Sequence, residues 1–216
     1  MMVIVYVEGP SDQFALRVLL KSLLDQKHQQ GIAVQFHQPP PGHRKRSLIT
    51  NVPRKAASIL LNRPDAIVIA MPDLYPPNTV FPHQTCRELE KGILDRFDQA
   101  VRSKGRENDE RLKRRFKVFC FKHDMEALIL AAEEGLKNRL GIGSLKITWR
   151  RPVEDQDHHA PPKRVVERLF ESQGTHYRET ADAPMVLAQS NYQAIAEQCP
   201  QCFKPFVEFL TGLHAG

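Results

Sequence analysis

Apolar and polar positions alternate in blocks along the chain. Val3 to Val7 is a short continuous apolar run ending at Glu8, the pattern of a strand buried on both faces of a parallel sheet. Leu16, Leu19, Leu20, Leu23 and Leu24 then recur at helical spacing up to Gly31, predicting one helix that Ser11 or Asp12 can cap. A second strand is expected over Ile32 to His37, stopped by Pro39-Pro40-Pro41-Gly42. A basic loop follows. Pro53 fits a first helical turn, with Ala56, Ala57, Ile59, Leu60 and Leu61 continuing the helix to Pro64. Ala66 to Ala70 reads as a third buried strand, and strand–helix–strand–helix–strand in seventy residues is the order of an open α/β sheet with right-handed crossovers.

Beyond the loop Met71 to Pro77, a helix is expected from about Cys86 to Val101. Ser103 to Arg115 reads as an exposed turn or helix extension. A fourth strand is expected over Phe116 to Phe121 and a helix from Glu126 to Leu140. Leu145 to Trp149 is the last strand-like run. Past Pro152 the texture turns to a linker, with His158-His159 and Pro161-Pro162, and then to short helices. The expected organisation is an α/β domain over 1–150 and a helical C-terminal extension over 151–216 that packs on it.

Charge adds a local feature. Of the 216 residues 31 are Lys or Arg and 25 Asp or Glu, a formal charge of +6. From Gln26 to Pro64 there is no acid, while Lys27, Arg44, Lys45, Arg46, Arg54, Lys55 and Arg63 lie there, so the rest of the chain is close to neutral. Such a stretch is the footprint of a phosphate-backbone contact, or simply a solvated loop. No apolar run approaches the roughly 18 residues of a membrane span, and the N-terminus lacks the basic opening of a secretion signal. A cytoplasmic protein is the expectation. Of the four cysteines only Cys199 and Cys202 form a CxxC pair, late in a helical stretch and without a second pair. Zinc and thioredoxin-like redox chemistry are therefore disfavoured against buried thiols. Neither GxxxxGK[ST] nor GxGxxG is present, which argues against nucleotide-cradling loops of those types.

In an open α/β sheet a ligand binds at the carboxyl ends of the strands, where strand order reverses. Glu8 ends the first strand, Asp12 lies one turn on, Asp73 ends the third, and Asp124 and Glu126 follow the fourth. Hard cations such as Mg²⁺ take one or two carboxylates together with substrate phosphates, so converging acids at strand ends suit a metal site. Each acid also has a plainer role open to it. Glu8 can face a helix N-terminus, Asp12 can sit in a first turn, Asp73 can be a turn residue, and Glu126 can reach back to the backbone of residue 123 in a cap that includes His123. Lys163-Arg164 opens a helix continuing through Val165, Val166, Leu169 and Phe170, and the pair is either solvated or grips phosphate.

Val7-Glu8-Gly9-Pro10-Ser11-Asp12-Gln13-Phe14 resembles the glutamate motif that opens TOPRIM domains, found in topoisomerases, DnaG-type primases and overcoming-lysogenization-defect nucleases. A narrower resemblance, to an uncharacterised bacterial TOPRIM-like family often encoded beside an ATPase in phage-defence loci, covers nearly the whole chain. It rests on Pro72-Asp73-Leu74-Tyr75-Pro76-Pro77 with Phe81-Pro82, on His123-Asp124-Met125-Glu126-Ala127-Leu128, on Ala160-Pro161-Pro162-Lys163-Arg164, and on Cys199-Pro200 followed by Phe203. The resemblance implies a TOPRIM-like, mostly parallel four-stranded sheet flanked by helices. It implies Mg²⁺ or Mn²⁺ as cofactor, Glu8 and Asp73 as catalytic residues, and Glu8, Asp12, Asp73 and Glu126 as metal ligands. Arg44, Lys45, Arg46, Arg54, Lys55, Lys163 and Arg164 would contact DNA or RNA, with His123 and Asp124 nearby. An ATPase is the implied protein partner; self-association is left open.

Three departures stand out. TOPRIM enzymes carry Asp-x-Asp where this chain has Asp73-Leu74-Tyr75, one acid fewer. The related family has Glu directly after the histidine where Asp124 stands, and a lysine two residues past the tyrosine where Glu179 follows Tyr177. The expected function is a metal-dependent nuclease; the alternative is a catalytically reduced nucleic-acid-binding or regulatory subunit of an ATPase complex.

Overall fold

The computed structural model describes residues 1–40, 43–77 and 79–214. Pro41 and Gly42 of the expected proline-rich break lie outside them. The chain forms two compact units. The first comprises 1–9, 22–120 and 213–216, the second 10–21 and 121–212.

The first unit holds a four-stranded sheet made of β1 (Met2–Val7), β2 (Ala33–His37), β3 (Ala66–Met71) and β4 (Phe116–Val118). Their order is β2-β1-β3-β4 and every pairing is parallel. The open parallel α/β sheet expected from the sequence is therefore present. The two central strands carry the continuous apolar runs, as burial on both faces requires, and five of the six residues of each are buried. β1 pairs on one side with β2 and on the other with β3, Val7 facing Met71 in register. The strand order thus reverses between β1 and β3.

Among the described residues there are eleven α-helices. The expected Leu16–Leu24 helix is two, α1 (Pro10–Leu19) and α2 (Lys21–Gln29). Periodicity does not register a one-residue break, and α1 belongs to the second unit while nearly all of α2 belongs to the first. Pro10 opens α1, so Ser11 and Asp12 lie inside its first turn instead of capping it. The expected basic loop is also helical. α3 (Arg44–Asn62) starts at Arg44 and carries Pro53 in its interior. Leu48, Ile49 and Val52 are buried ahead of the proline, and that packing outweighs the one hydrogen bond Pro53 cannot donate.

α4 (Cys86–Arg102) opens with a capping box in which Thr85 Oγ1 accepts from the Glu88 N–H and the Glu88 carboxylate accepts from the Thr85 N–H. α5 (Glu110–Arg115) occupies the expected exposed extension. Arg115 there donates to the carbonyls of Leu60, Arg63 and Ala66, closing the end of α3 onto the start of β3. Phe97 of α4 stacks on Phe116 of β4, ring centroids 4.4 Å apart. β4 is shorter than expected, because its ladder with β3 runs only from Val68 to Ala70.

The second unit is helical: α1, α6 (Glu126–Ala131), α7 (Glu133–Leu140), a 3-10 turn at Val153–Asp155, α8 (Pro162–Glu171), α9 (Glu179–Ala188), α10 (Tyr192–Gln198) and α11 (Phe203–Thr211). The single helix expected over Glu126 to Leu140 breaks at Ala132, and Leu145 to Trp149 forms no strand. All six residues of α6 are buried. α7 meets α9 at Gly135, where a Cβ would lie 2.4 Å from the Val186 carbonyl oxygen, so only glycine permits the approach. No helix among the described residues is long and apolar enough to cross a membrane.

Candidate functional site

The reversal of strand order puts the carboxyl ends of β1 and β3 side by side. Glu8 follows β1 and Asp73 follows β3. The Asp73 N–H donates to Glu8 Oε1 at 2.9 Å, locking the two strand ends together. Lys45, on the first turn of α3, brings its ammonium to 4.0 Å from Glu8 Oε1 and donates to the Pro76 carbonyl at 2.6 Å. Both side chains are largely covered, 15% exposed for Lys45 and 18% for Glu8. Burial pulls the Lys45 ammonium below its usual pKa, and the carboxylates of Glu8 and Asp73 oppose that pull.

The basic run therefore divides. Lys45 turns in to the strand ends, while Arg44 and Arg46 are exposed. Three cations in the first turn of a helix, with no acid and no side-chain cap from His43, run against the helix dipole, which favours negative charge there. Arg54 and Lys55 are exposed further along α3, and the Lys55 ammonium lies 5.3 Å from the centroid of the Tyr6 ring.

The second unit assembles the other sequence-predicted residues. Asp124, Glu126 and Lys163 come together, joined by Tyr177 and Glu179. Tyr177 Oη donates to Glu126 Oε1 at 3.1 Å, the Lys163 N–H at the start of α8 reaches Asp124 Oδ2 at 3.4 Å, and the Lys163 ammonium pairs with Glu179. Asp124 Oδ1 is buried and has no hydrogen-bond partner among the described residues. Burial, outweighing the Lys163 contacts, raises Asp124 to about 7; burial with the negative Asp124 and Glu179 raises Glu126 to about 8. Burial and then Glu126 push the Tyr177 hydroxyl well above its usual range. Burial works against the Lys163 ammonium, but the bond and charge of Glu179 leave its pKa raised.

Glu126 is the first residue of α6 and not its third, so residue 123 is not the N-cap expected of it, and its carboxylate accepts from Tyr177. His123 is buried, its ring centroid 5.6 Å from that of His158. Arg164 is exposed and donates to the His159 carbonyl. Asp12 lies half-buried in the first turn of α1.

Sequence reasoning missed three roles. Lys45 serves the carboxylate end of the sheet, a position that the basic run conceals. Glu179 pairs with Lys163; its spacing from Tyr177 is the only hint. Glu154 is buried and accepts the N–H groups of Gln201, Cys202 and Phe203, so the Cys-Pro-x-Cys turn is organised by a carboxylate from the 3-10 turn. Cys120, Cys199 and Cys202 are buried and Cys86 is half-buried; burial and then Glu154 push the Cys199 thiol well above its usual pKa, the state of an inert sulfur.

A family described as "Domain of unknown function (DUF4276)" matches residues 7–211. The chain belongs to that family. No curated protein matches the sequence. Among solved structures, the C-terminal region of the Burkholderia pseudomallei OLD protein is similar at 18% identity and a TM-score of 0.46, covering 96% of each chain. The C-terminal region of the Xanthomonas campestris pv. campestris OLD protein is similar at 16% identity and a TM-score of 0.42, covering 96% of this chain and 95% of that one. Likenesses at these identities and TM-scores say nothing of this chain's chemistry.

Proposed function

We propose that this DUF4276 protein is a metal-dependent phosphodiesterase of TOPRIM-like type that acts on DNA or RNA with Mg²⁺ or Mn²⁺. The observation that carries the reading is the hydrogen-bonded meeting of Glu8 and Asp73 at the point where strand order reverses. Two carboxylates there fit a hard cation, which takes one or two such ligands and completes its shell with water and substrate phosphate oxygens. Glu8 and Asp73 would hold the ion in the first unit. A bound ion supplies charge neutralisation at the phosphate and a more acidic water.

The chain's own residues do the rest. The Asp73 N–H fixes the orientation of the Glu8 carboxylate. Lys45 adds a fixed positive charge beside the carboxylates, suited to a non-bridging phosphate oxygen. Arg44, Arg46, Arg54 and Lys55 on α3, with Lys163 and Arg164 on α8, are the proposed backbone contacts. An ATPase partner and a role in anti-phage defence, which the motif resemblance implies, are part of the proposal.

One observation favours a second reading, a catalytically reduced nucleic-acid-binding or regulatory subunit of an ATPase complex. Tyr75 stands where a second acid is expected, and the Lys45 ammonium already meets Glu8. Cleavage of a panel of DNA and RNA with Mg²⁺ or Mn²⁺, with and without any co-encoded ATPase, separates the two. The nuclease reading expects cleavage that Glu8→Gln lowers at least about a hundredfold with the fold intact. Binding without cleavage under every condition selects the second reading.

A further inference from the structure

α3 and α4 pack together in the first unit, and between them lies an open groove of about 360 Å³ lined by Thr50, Arg54, Ser58, Arg96, Gln99 and Lys104, among others. Its α3 wall follows from helical spacing. Arg46, Thr50, Arg54 and Ser58 recur every four residues and so form one stripe, about 18 Å long at 1.5 Å per residue. That stripe lies within the acid-free part of the sequence, so α3 contributes no carboxylate to the groove. No acid lines the groove from α4 either.

The hydroxyls are not the ligand donors. Thr50 and Ser58 donate to the carbonyls of Arg46 and Arg54, and Ser103 to that of Ala100. The groove's outward donors are the three cations and the Gln99 amide. Arg54, Arg96 and Lys104 form no ion pair among the described residues, and the Arg96 guanidinium is steadied 5.8 Å from the centroid of the Phe81 ring. Like charges gathered along one open groove repel one another unless a counter-charge lies between them. No aromatic ring lines the groove to stack a base, so the chemistry offered is for phosphate and not for sequence.

We propose that the α3/α4 groove is a track for the phosphodiester backbone of a nucleic acid, gripped by Arg54, Arg96 and Lys104. It runs along α3 to Arg46, the neighbour of the Lys45 that meets Glu8, and so leads a strand to the carboxylates. This rests on the nucleic-acid reading above and assigns Arg96 and Lys104 roles that the basic run of the sequence does not include.

The test is fluorescence anisotropy of the full chain with a 30-residue DNA duplex and the matching RNA duplex, in EDTA to prevent cleavage, from 50 to 200 mM salt. The triple variant Arg54→Ala/Arg96→Ala/Lys104→Ala is expected to bind on the order of tenfold more weakly or worse, with a log K against log salt slope smaller by roughly 2 to 3. Arg54→Lys/Arg96→Lys/Lys104→Arg, which keeps each charge, is expected to stay within about threefold of the wild type. Should the alanine triple lose its circular-dichroism signal, Arg54→Ala alone carries the test, with a slope smaller by about one. Wild-type binding with an unchanged slope in the alanine variants overturns the groove and leaves the nucleic-acid reading standing. A wild type that binds neither duplex overturns both.

Discussion

Glu8 and Asp73 sit at strand ends with a backbone N–H and a lysine ammonium for company, and Glu8 is partly open to solvent. Asp124 and Glu126, in the second unit, are buried against a third carboxylate, a tyrosine and a lysine that is itself paired with Glu179. The residue types are nearly the same. What differs is solvation: Glu8 and Asp73 are half-buried, whereas burial makes protons the favoured partner for two of the three acids in the second arrangement. A pair of acids is therefore read as a metal site or as a proton store by what surrounds it and not by spacing.

The largest expected effect is on pH dependence. Asp124 and Glu126 are raised to about 7 and about 8, so between about pH 4 and pH 8 the folded chain binds more protons than the unfolded one. Their contribution is neutral below the unfolded pKa values and destabilising once both ionise. Stability should thus fall as pH rises through that window, by several kcal/mol. Urea denaturation at pH 5, 6.5 and 8 measures it, and Asp124→Asn/Glu126→Gln should flatten the fall. A rise in stability over the same range, absent in the double variant, would mean that these carboxylates are ionised and paired.

Glu154 sharpens the contrast, being just as buried but accepting three backbone N–H groups. Glu154→Ala leaves those donors unmatched and should cost about 2 kcal/mol, read as a lowered urea midpoint at any pH from 5 to 8. Next in size is Lys163→Met, which removes the ammonium from the acid cluster. Because Lys163 is 44% exposed the cost should be only about 1 kcal/mol at pH 8, and smaller at pH 5.5, where Asp124 and Glu126 hold protons and only the pairing with Glu179 is lost. An equal cost at both pH values would make packing, not charge, its role.

The smallest stability effect is expected at the strand ends. Lys45→Met should change stability by less than about 1 kcal/mol but tighten Mn²⁺ binding roughly threefold to tenfold, since the ammonium opposes a cation at Glu8. Weaker Mn²⁺ binding in this variant, measured by calorimetry, would make Lys45 a support of the site instead of a competitor.

These contrasts mark what the sequence could disclose. The apolar runs Val3 to Val7 and Ala66 to Ala70 announce central strands because burial on both faces leaves no polar position, and Glu8 and Asp73 follow from where those runs stop. Arg44 to Arg46 misleads, because a loop and the first turn of a helix with Pro53 inside share one composition; only the packing of Leu48, Ile49 and Val52 decides. The break at Leu20 leaves the leucine spacing intact, so it could not be read. Asp124 and Glu126 meet a lysine more than thirty residues further on and Glu179 from the helix after that, and neither their burial nor their protons leave a local pattern.

The central claim is that a divalent cation is held where β1 and β3 end. Calorimetric titration of Mn²⁺ into the wild type, Glu8→Gln and Asp73→Asn at pH 7.5, with circular dichroism to verify the fold, tests it most directly. Binding in the wild type that weakens at least about tenfold in each variant is the expected result. Equal Mn²⁺ affinity in all three folded proteins would contradict the assignment.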